Sequence, residues 1–348
     1  MATQLEEAAT DAGLEHLIVS ITARRLNRAP QTIDPDTPLA LLGLDSLGAI
    51  EVGAALEDAL DVEIPPEVMT ECLDVRSLAA AIQQRRGTTG NRDERARAIE
   101  RMRMDAVLPD DVQPVARARG TGNARGLLDA RRILLTGSTG FLGSRLAADL
   151  LTSSSAELVC LVRPGSASAN ERVRAALNQW SVDLDGFAAR VHIIGGDLSQ
   201  PHLGLDRVTF AGIGQGLDGI LHAGASVNWV GSYAALRDAN VAGTRELLRL
   251  ACLGGTPFHF VSSISTCYST SAPRTVDETF DGLEHLEGVY LGYAQTKIVA
   301  EALVREAARR GLLATIYRPS LISGDSRTGS FNRDDLLSLM IKGAVEMG

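Results

Sequence analysis

The chain has 348 residues, with 34 Lys and Arg against 43 Asp and Glu for a formal net charge of −9, 45% hydrophobic and 4% aromatic residues. That length predicts about two domains with ample apolar material for buried cores. Few aromatics and no basic stripe beyond an arginine-rich linker argue against nucleic-acid binding, no run of about 18 apolar residues is present to cross a bilayer, and the N-terminus lacks the basic-then-apolar layout of a signal peptide, so a cytoplasmic location is expected.

In chain order, Leu14, Leu17, Ile18, Ile21 and Leu26 repeat at near-helical spacing, and a breaker-rich loop follows over residues 29–38. Leu42-Gly43-Leu44-Asp45-Ser46-Leu47 then opens a second apolar-periodic run that reaches Leu60. A short segment around Val68 and a last helix, roughly Val75 to Gln84, complete a four-helix pattern. Ser46 stands at the loop-to-helix junction, where a serine caps a helix. The net charge belongs to this part of the chain: residues 1–86 hold 15 of the acidic and 6 of the basic residues, leaving 28 of each for the remainder. An acidic face steers docking toward basic surfaces.

The span from Leu14 to Arg86 resembles the acyl and peptidyl carrier domains of polyketide and nonribosomal peptide assembly lines, with Gly43-Leu44-Asp45-Ser46-Leu47 as the matching motif. The resemblance implies that Ser46 carries 4′-phosphopantetheine, added by a separate phosphopantetheinyl transferase, and that an acyl or peptidyl chain rides on its thiol. Upstream assembly-line modules would supply that chain.

Composition changes after Gln84. Arg85 to Asn91 is a polar turn-rich string, Arg92 to Arg103 alternates in charge like a solvated helix or tether, and 104–130 is irregular, with several prolines and glycines. The expected division is a carrier at 1–86, a linker at 87–130 and a second domain at 131–348. The linker reads equally as a tether giving the carrier reach and as a segment packed on the second domain. The four cysteines, Cys72, Cys160, Cys252 and Cys267, lack metal-ligand spacing; inert thiols and no metal are expected.

Arg132 to Thr136 is a short apolar run that enters Gly137-Ser138-Thr139-Gly140-Phe141-Leu142-Gly143 and then a helical stretch, Ser144 to Leu151. Strand, glycine turn and helix in that order suit a dinucleotide pyrophosphate, because glycines let the backbone approach it and the helix start favours its charge. Leu158 to Arg163 follows as a buried-type strand ending in arginine. An acidic residue there would hold a ribose 2′-hydroxyl, whereas Arg163 suits a 2′-phosphate, so NADPH is expected. Arg172 or Arg174 could add a second contact. Further strand-like runs at Val191–Gly195, Gly219–His222, Phe258–Ser262 and Leu313–Tyr317 alternate with helical segments, which argues for a Rossmann-type, doubly wound parallel α/β sheet beside the small four-helix carrier bundle. Asp197, after the third strand, is placed to meet the adenine side of the cofactor or to make a turn, and Leu198 and Ala223 join the cofactor-binding candidates.

Tyr293-Ala294-Gln295-Thr296-Lys297 puts a tyrosine and a lysine on one helix face one turn apart. A phenol with an ordinary pKa of ~10 exchanges protons poorly near neutrality, and an ammonium beside it is expected to lower that value. Together with the glycine turn and Ser262-Ser263 at a strand end, the span from about Arg132 to Gly329 looks like an extended short-chain dehydrogenase/reductase, closest to the terminal thioester reductases of assembly lines. The resemblance implies that Ser263 hydrogen-bonds the substrate oxygen, Tyr293 donates the proton and Lys297 also holds the nicotinamide ribose. Supporting stretches are Leu221 to Trp229, Asn240 to Thr244 and Tyr317 to Gly329.

Carrier and reductase together imply reductive release of a carrier-bound acyl thioester as an aldehyde or, after a second hydride, an alcohol. Alternatives are a non-redox release or cyclisation domain, which usually goes with a damaged catalytic set, and an epimerase or dehydrogenase of the same fold acting on a small molecule. Reductases of this kind continue into a C-terminal subdomain over the acyl chain that residues after Phe331 only begin. If this span is the whole polypeptide, NADPH binding with weak or absent turnover is expected.

Overall fold

The chain folds into two units, split after Arg101, and a computed structural model describes residues 11–39, 41–44, 46–60, 62, 64, 68–69, 72, 74–86, 91–115, 127–333 and 335–347. Among the described residues of the first unit the apolar period becomes three helices, α1 (Asp11–Arg25), α2 (Ser46–Leu60) and α3 (Val75–Arg86). Leu14 and Ile18 of α1, Val52 and Leu56 of α2, and Leu78 and Ile82 of α3 meet in one core, each at most 1% exposed. Val68 and Met69, in a helical turn, close it. Asp74 starts α3 by accepting the Ser77 N–H at 2.8 Å, a carboxylate at a helix N-terminus.

Helix α4 (Asn91–Asp105) follows. In the first unit its Arg95 donates to the buried Glu57 carboxylate at 3.1 Å. Residues 102–115 belong to the second unit, where Met102, Leu108 and Val112 are buried.

The second unit is built on six parallel strands: β1 (Arg132–Thr136), β2 (Glu157–Val162), β3 (Val191–Gly195), β4 (Gly219–His222), β5 (Phe258–Val261) and β6 (Ala314–Tyr317). They lie in the order β3-β2-β1-β4-β5-β6. β1, β2 and β4 are apolar almost throughout, as strands covered on both faces must be. The connecting helices are α5 (Phe141–Ser153), α6 (Ala169–Asn178), α7 (Arg207–Gln215), α8 (Tyr233–Arg237), α9 (Gly243–Gly254) and α10 (Gly292–Arg309), with α11 (Leu336–Met347) after the last strand. α8 runs without a break through one π turn, Asp238–Ala242, into α9. The parallel sheet is the one the alternation of runs predicts. α5 begins three residues earlier than the apolar period alone suggests, because Gly143 sits inside its first turn. Strand order reverses between β1 and β4, and such a switch point opens a crevice at the carboxyl ends of the strands.

Candidate active site

Three consecutive strand ends frame that crevice. The register pairs Thr136 of β1 with His222 of β4 and His222 with Phe260 of β5, so the glycine turn, the Ala223-Gly224 step and Ser262-Ser263 leave the sheet side by side. Gly137 has φ +77, and a Cβ there would lie 2.8 Å from the Gly224 backbone. A Cβ on Gly143 would lie 2.1 Å from the Gly137 carbonyl oxygen. Only glycines permit this turn. Helix α5 starts at Gly140 with no side chain capping it, which leaves its first N–H groups and dipole for an anion. These features fit a dinucleotide pyrophosphate.

Around the turn, Ser138 is buried, Thr139 half-buried, and Phe141 and Leu142 half-buried on the first turn of α5. Arg163 is exposed at the end of β2; Arg172 Nη1 donates to its carbonyl at 2.6 Å, and Nη2 reaches Thr139 Oγ1 at 3.4 Å. Arg172 therefore faces the glycine turn, in a cleft of about 690 Å³ whose lining also includes Gly140, Phe141, Gln179 and Phe331. Arg174 points elsewhere, paired with Asp185 at 2.6 and 2.9 Å. The Asp197 carboxylate accepts the Ser199 N–H and hydroxyl at 2.9 and 2.8 Å, which is turn chemistry. Leu198 packs under Gly224, and Ala223 is half-buried beside it.

Helix α10 brings Tyr293 and Lys297 against the end of β5. Both are buried. Lys297 Nζ donates to the Val261 carbonyl at 2.8 Å and lies 4.7 Å from the Phe260 ring centroid and 5.9 Å from that of Tyr293. The expectation that Lys297 lowers the tyrosine pKa does not hold in this arrangement. Burial pushes Tyr293 up to about 12. Burial also brings Lys297 down to about 8, opposed by the charge of Glu301. An ammonium committed to a carbonyl over the ring gives the phenol oxygen little help, so desolvation wins.

The three serines after β5 are told apart by their partners. Ser262 is buried and donates to Glu301 Oε1 at 2.5 Å. Ser263 Oγ accepts from the Ser265 N–H at 3.1 Å and from the Ser265 hydroxyl at 2.9 Å. Neither of these bonds uses its own hydroxyl proton. In the first unit, Ser46 is the first residue of α2, after Gly43 at φ +92 and the buried Leu42 and Leu44; its side chain lies outside the described residues.

Sequence reasoning named the stretches that hold His222, Asn240 and Thr244 but gave those polar groups no role, and it gave Thr136 and Thr296 none either. Thr136 Oγ1 accepts the Gly224 N–H at 2.9 Å and lies 2.7 Å from His222 Nδ1; His222 Nε2 lies 3.1 Å from Thr244 Oγ1, which donates to the Asn240 carbonyl at 2.6 Å. Because Thr244 spends its proton on Asn240, His222 carries its own on Nε2 and accepts at Nδ1. Burial holds this histidine neutral. Asn240, in the π turn, continues to Thr296 Oγ1 at 3.0 Å, and Thr296 donates to the Tyr293 carbonyl at 2.7 Å. Glu301 also takes Arg318 Nη2 at 2.6 Å. Glu301, four residues after Lys297 on the same face, is the one of these that the sequence signals, as a charge on a buried stripe.

Residues 135–348 match the family model for NAD-binding male sterility proteins, and residues 16–82 match that for a phosphopantetheine attachment site. The chain belongs to the NAD-binding male sterility family. This family member carries a phosphopantetheine-attachment domain ahead of its dinucleotide fold. It is 35% identical over 353 residues to an isonitrile lipopeptide synthase of Streptomyces coeruleorubidus, covering 99% of this chain and 23% of the relative. It is 38% identical over 231 residues to the L-2-aminoadipate reductase large subunit of Penicillium chrysogenum, covering 62% of this chain and 16% of that one. Among solved structures, the terminal R domain from the myxalamid PKS-NRPS biosynthetic pathway matches with 40% identity and a TM-score of 0.65 over 72% of this chain and 63% of that chain. The chain thus spans about a quarter or less of the length of these two curated relatives. Among the described residues no helix is long and apolar enough to cross a membrane, and no cluster of His, Cys, Asp and Glu could hold a metal ion.

Proposed function

We propose that this chain releases an acyl or peptidyl chain from its own carrier by reduction. In this reading a phosphopantetheinyl transferase of the cytoplasm loads Ser46, upstream modules deliver the acyl group as a thioester, and the second unit reduces it with NADPH. The carrying observation is the presence, on one polypeptide, of a phosphopantetheine-attachment domain and a glycine turn that shares its crevice with the Ser263, Tyr293 and Lys297 set.

NADPH, when bound, supplies the hydride that reduces the thioester carbonyl carbon. Gly137 to Gly143 and the start of α5 would hold its pyrophosphate, Arg163 and Arg172 its 2′-phosphate, and Lys297 its nicotinamide ribose. As the carbonyl oxygen gains charge, Ser263 donates a hydrogen bond and Tyr293 gives up its proton. The hemithioacetal then breaks its C–S bond, its hydroxyl proton passes to the departing sulfur, and aldehyde and free thiol on the arm result. With its pKa near 12, Tyr293 stands protonated at neutral pH, the state a proton donor needs.

The test is intact-protein mass spectrometry. The transferase and an acyl donor should add an acyl-pantetheine mass at Ser46, and NADPH should then convert it to the free-thiol form with aldehyde released. Tyr293→Phe should load normally and release 10² to 10⁴ times more slowly, on the order expected for loss of a general acid. Release at the wild-type rate would remove Tyr293 from its role, and loading elsewhere than Ser46 would sink the reading.

A further inference from the structure

Beyond the last strand the chain turns back over the carboxyl edge of the sheet. From Tyr317, at the end of β6, it reaches Asp325 in eight residues and fastens there to α5, the helix that follows β1. β5 and β4 lie between those two strands, so the crossing covers about 14 Å, well within the reach of eight residues. Arg145, in the second turn of α5, donates through Nη1 to Asp325 Oδ2, and the Arg327 N–H donates to Oδ1 at 2.8 Å. The Asp325 carboxylate is 9% exposed, and the Arg327 N–H and the Arg145 guanidinium hold it below the usual carboxylate range. Residues 325–330 close on themselves: the Asp325 N–H donates to the Ser330 carbonyl and the Gly329 N–H to the Asp325 carbonyl, each at 2.8 Å. A second tie follows just past α6, where Ser330 Oγ donates to the Gln179 carbonyl at 3.1 Å and Gln179 Nε2 to the Phe331 carbonyl at 3.4 Å.

This strap delivers Phe331, Asn332 and Arg333 to the cleft of about 690 Å³ beside the glycine turn. Of the ten residues that line the cleft two are arginines, Arg172 and Arg333, and none is acidic. Arg172 donates to a carbonyl and a hydroxyl, neither of which offsets its charge. Among the described residues no carboxylate pairs with Arg333, and Asp335, two residues on, is turned to the start of α11, where it accepts the Ser338 N–H at 2.7 Å. In a chain of net charge −9, a cleft that holds two such guanidiniums at the uncapped start of α5 suits a dianion.

We propose that Arg333 is a specificity-determining residue for NADPH over NADH: it joins Arg172 on the ribose 2′-phosphate, carried to the glycine turn by the strap that Asp325 fastens. This rests on the proposed use of NADPH with its 2′-phosphate beside Arg172. A guanidinium fork matches two phosphate oxygens at once, whereas a ribose 2′-hydroxyl offers it no charge. Arg333 therefore acts on the choice of dinucleotide and not on the reacting atoms at Tyr293.

The experiment uses the full chain. NADPH and NADH are titrated by nucleotide fluorescence, 2′,5′-ADP and 5′-AMP are titrated as competitors, and a thermal melt accompanies each variant. Arg333→Ala should weaken NADPH and 2′,5′-ADP about three- to tenfold, the lower part of the range for a charge-assisted bond because Arg333 is exposed. NADH and 5′-AMP should stay within about twofold of wild type, and Arg333→Lys should recover part of the loss. Asp325→Asn should show the same selective loss, and the double variant should be no worse than the larger single loss, because both changes remove one contact. NADPH binding within about twofold of wild type in Arg333→Ala, or equal losses on NADPH and NADH, overturns the proposal. Losses that add in the double variant overturn the part given to Asp325. Should Asp325→Asn fail to fold, Arg333→Ala, at an exposed position, still decides the role of Arg333. Wild-type protein that prefers NADPH, with the preference intact in Arg333→Ala, overturns Arg333 and keeps the NADPH reading, whereas wild-type protein that binds both dinucleotides alike overturns the two together.

Discussion

Gly143→Ala tests whether the turn after β1 is a nucleotide cradle or merely a tight corner. The added Cβ would sit 2.1 Å from the Gly137 carbonyl oxygen and 2.5 Å from its carbon, both backbone atoms, so the turn must move by about 1 Å to reach ordinary contact. Gly140→Ala meets the same oxygen at 3.3 Å and Gly186→Ala meets nothing within 4 Å, which gives a graded series in one unit. Overpacking of this kind costs roughly 1–3 kcal/mol. Charged wholly to binding, that is about 5- to 150-fold in NADPH affinity, at about 1.4 kcal/mol per tenfold; charged to the apo fold, it lowers Tm by roughly 2–4 °C per kcal/mol. NADPH fluorescence titration and a thermal melt on each variant read both terms. The order Gly186, Gly140, Gly143 should hold in the combined loss, with Gly186→Ala matching wild type. A Gly143→Ala protein that binds NADPH within twofold of wild type and melts within a degree of it would refute the cradle.

Other measurements reach the rest of the site. Replacing Arg163 and Arg172 together by Ala should weaken NADPH binding at least about tenfold, the scale of a lost charge-assisted hydrogen bond, and leave NADH binding unchanged. Lys297 has its pKa depressed to about 8, so its ammonium is present below that pH and lost above it, and NADPH-dependent turnover should fall as pH rises through about 8. Glu301 raises that pKa, so Glu301→Gln should move the falling limb to lower pH; it should also cost about 3 kcal/mol of stability by leaving Arg318 without its carboxylate. Thr244→Val leaves His222 Nε2 and the Asn240 carbonyl without their bonds, at about 1–3 kcal/mol each, and a thermal melt should show Thr244→Ser restoring much of the loss.

Most of the second unit was legible because buried parallel strands read as short apolar runs. The runs at Arg132, Val191 and Gly219 coincide with strands end for end; arginine and glycine flank the first two. The π turn at Asp238–Ala242 was not legible: its sequence fits an unbroken helix, and the turn exists because Asn240 must face Ser226 and Thr296 at once. For residues 102–115 the sequence left a tether and a segment packed on the second domain equally open. Their contacts with the second unit are carbonyls, one backbone N–H and a lone aspartate, held by residues 128 to 202 positions away in sequence, and no local pattern announces such partners. The distinction among Ser262, Ser263 and Ser265 likewise depends on partners across the sheet, chiefly Glu301 on α10.

The resting protonation states of Tyr293 and Lys297 suit the reductive step proposed for them. An alcohol-oxidising enzyme needs a phenolate as base, and therefore a cation close to the tyrosine oxygen. Here Lys297 is turned to the Val261 carbonyl, and Tyr293 lies buried beside the Trp229 ring, centroids 6.2 Å apart, with its pKa raised to about 12. A proton donor is thereby ready before any substrate arrives. Lys297 keeps its charge at neutral pH only against the cost of burial, with Glu301 as its stated support and the neutral His222 sparing it a competing cation. For the proposed reduction this division is economical: the phenol supplies the proton, the ammonium, with one N–H on the Val261 carbonyl, keeps two donors for a ribose hydroxyl, and neither needs the other's charge in the ground state. As charge develops on the substrate oxygen, the phenol's proton becomes easier to give, so its high resting pKa costs least at the moment of hydride transfer.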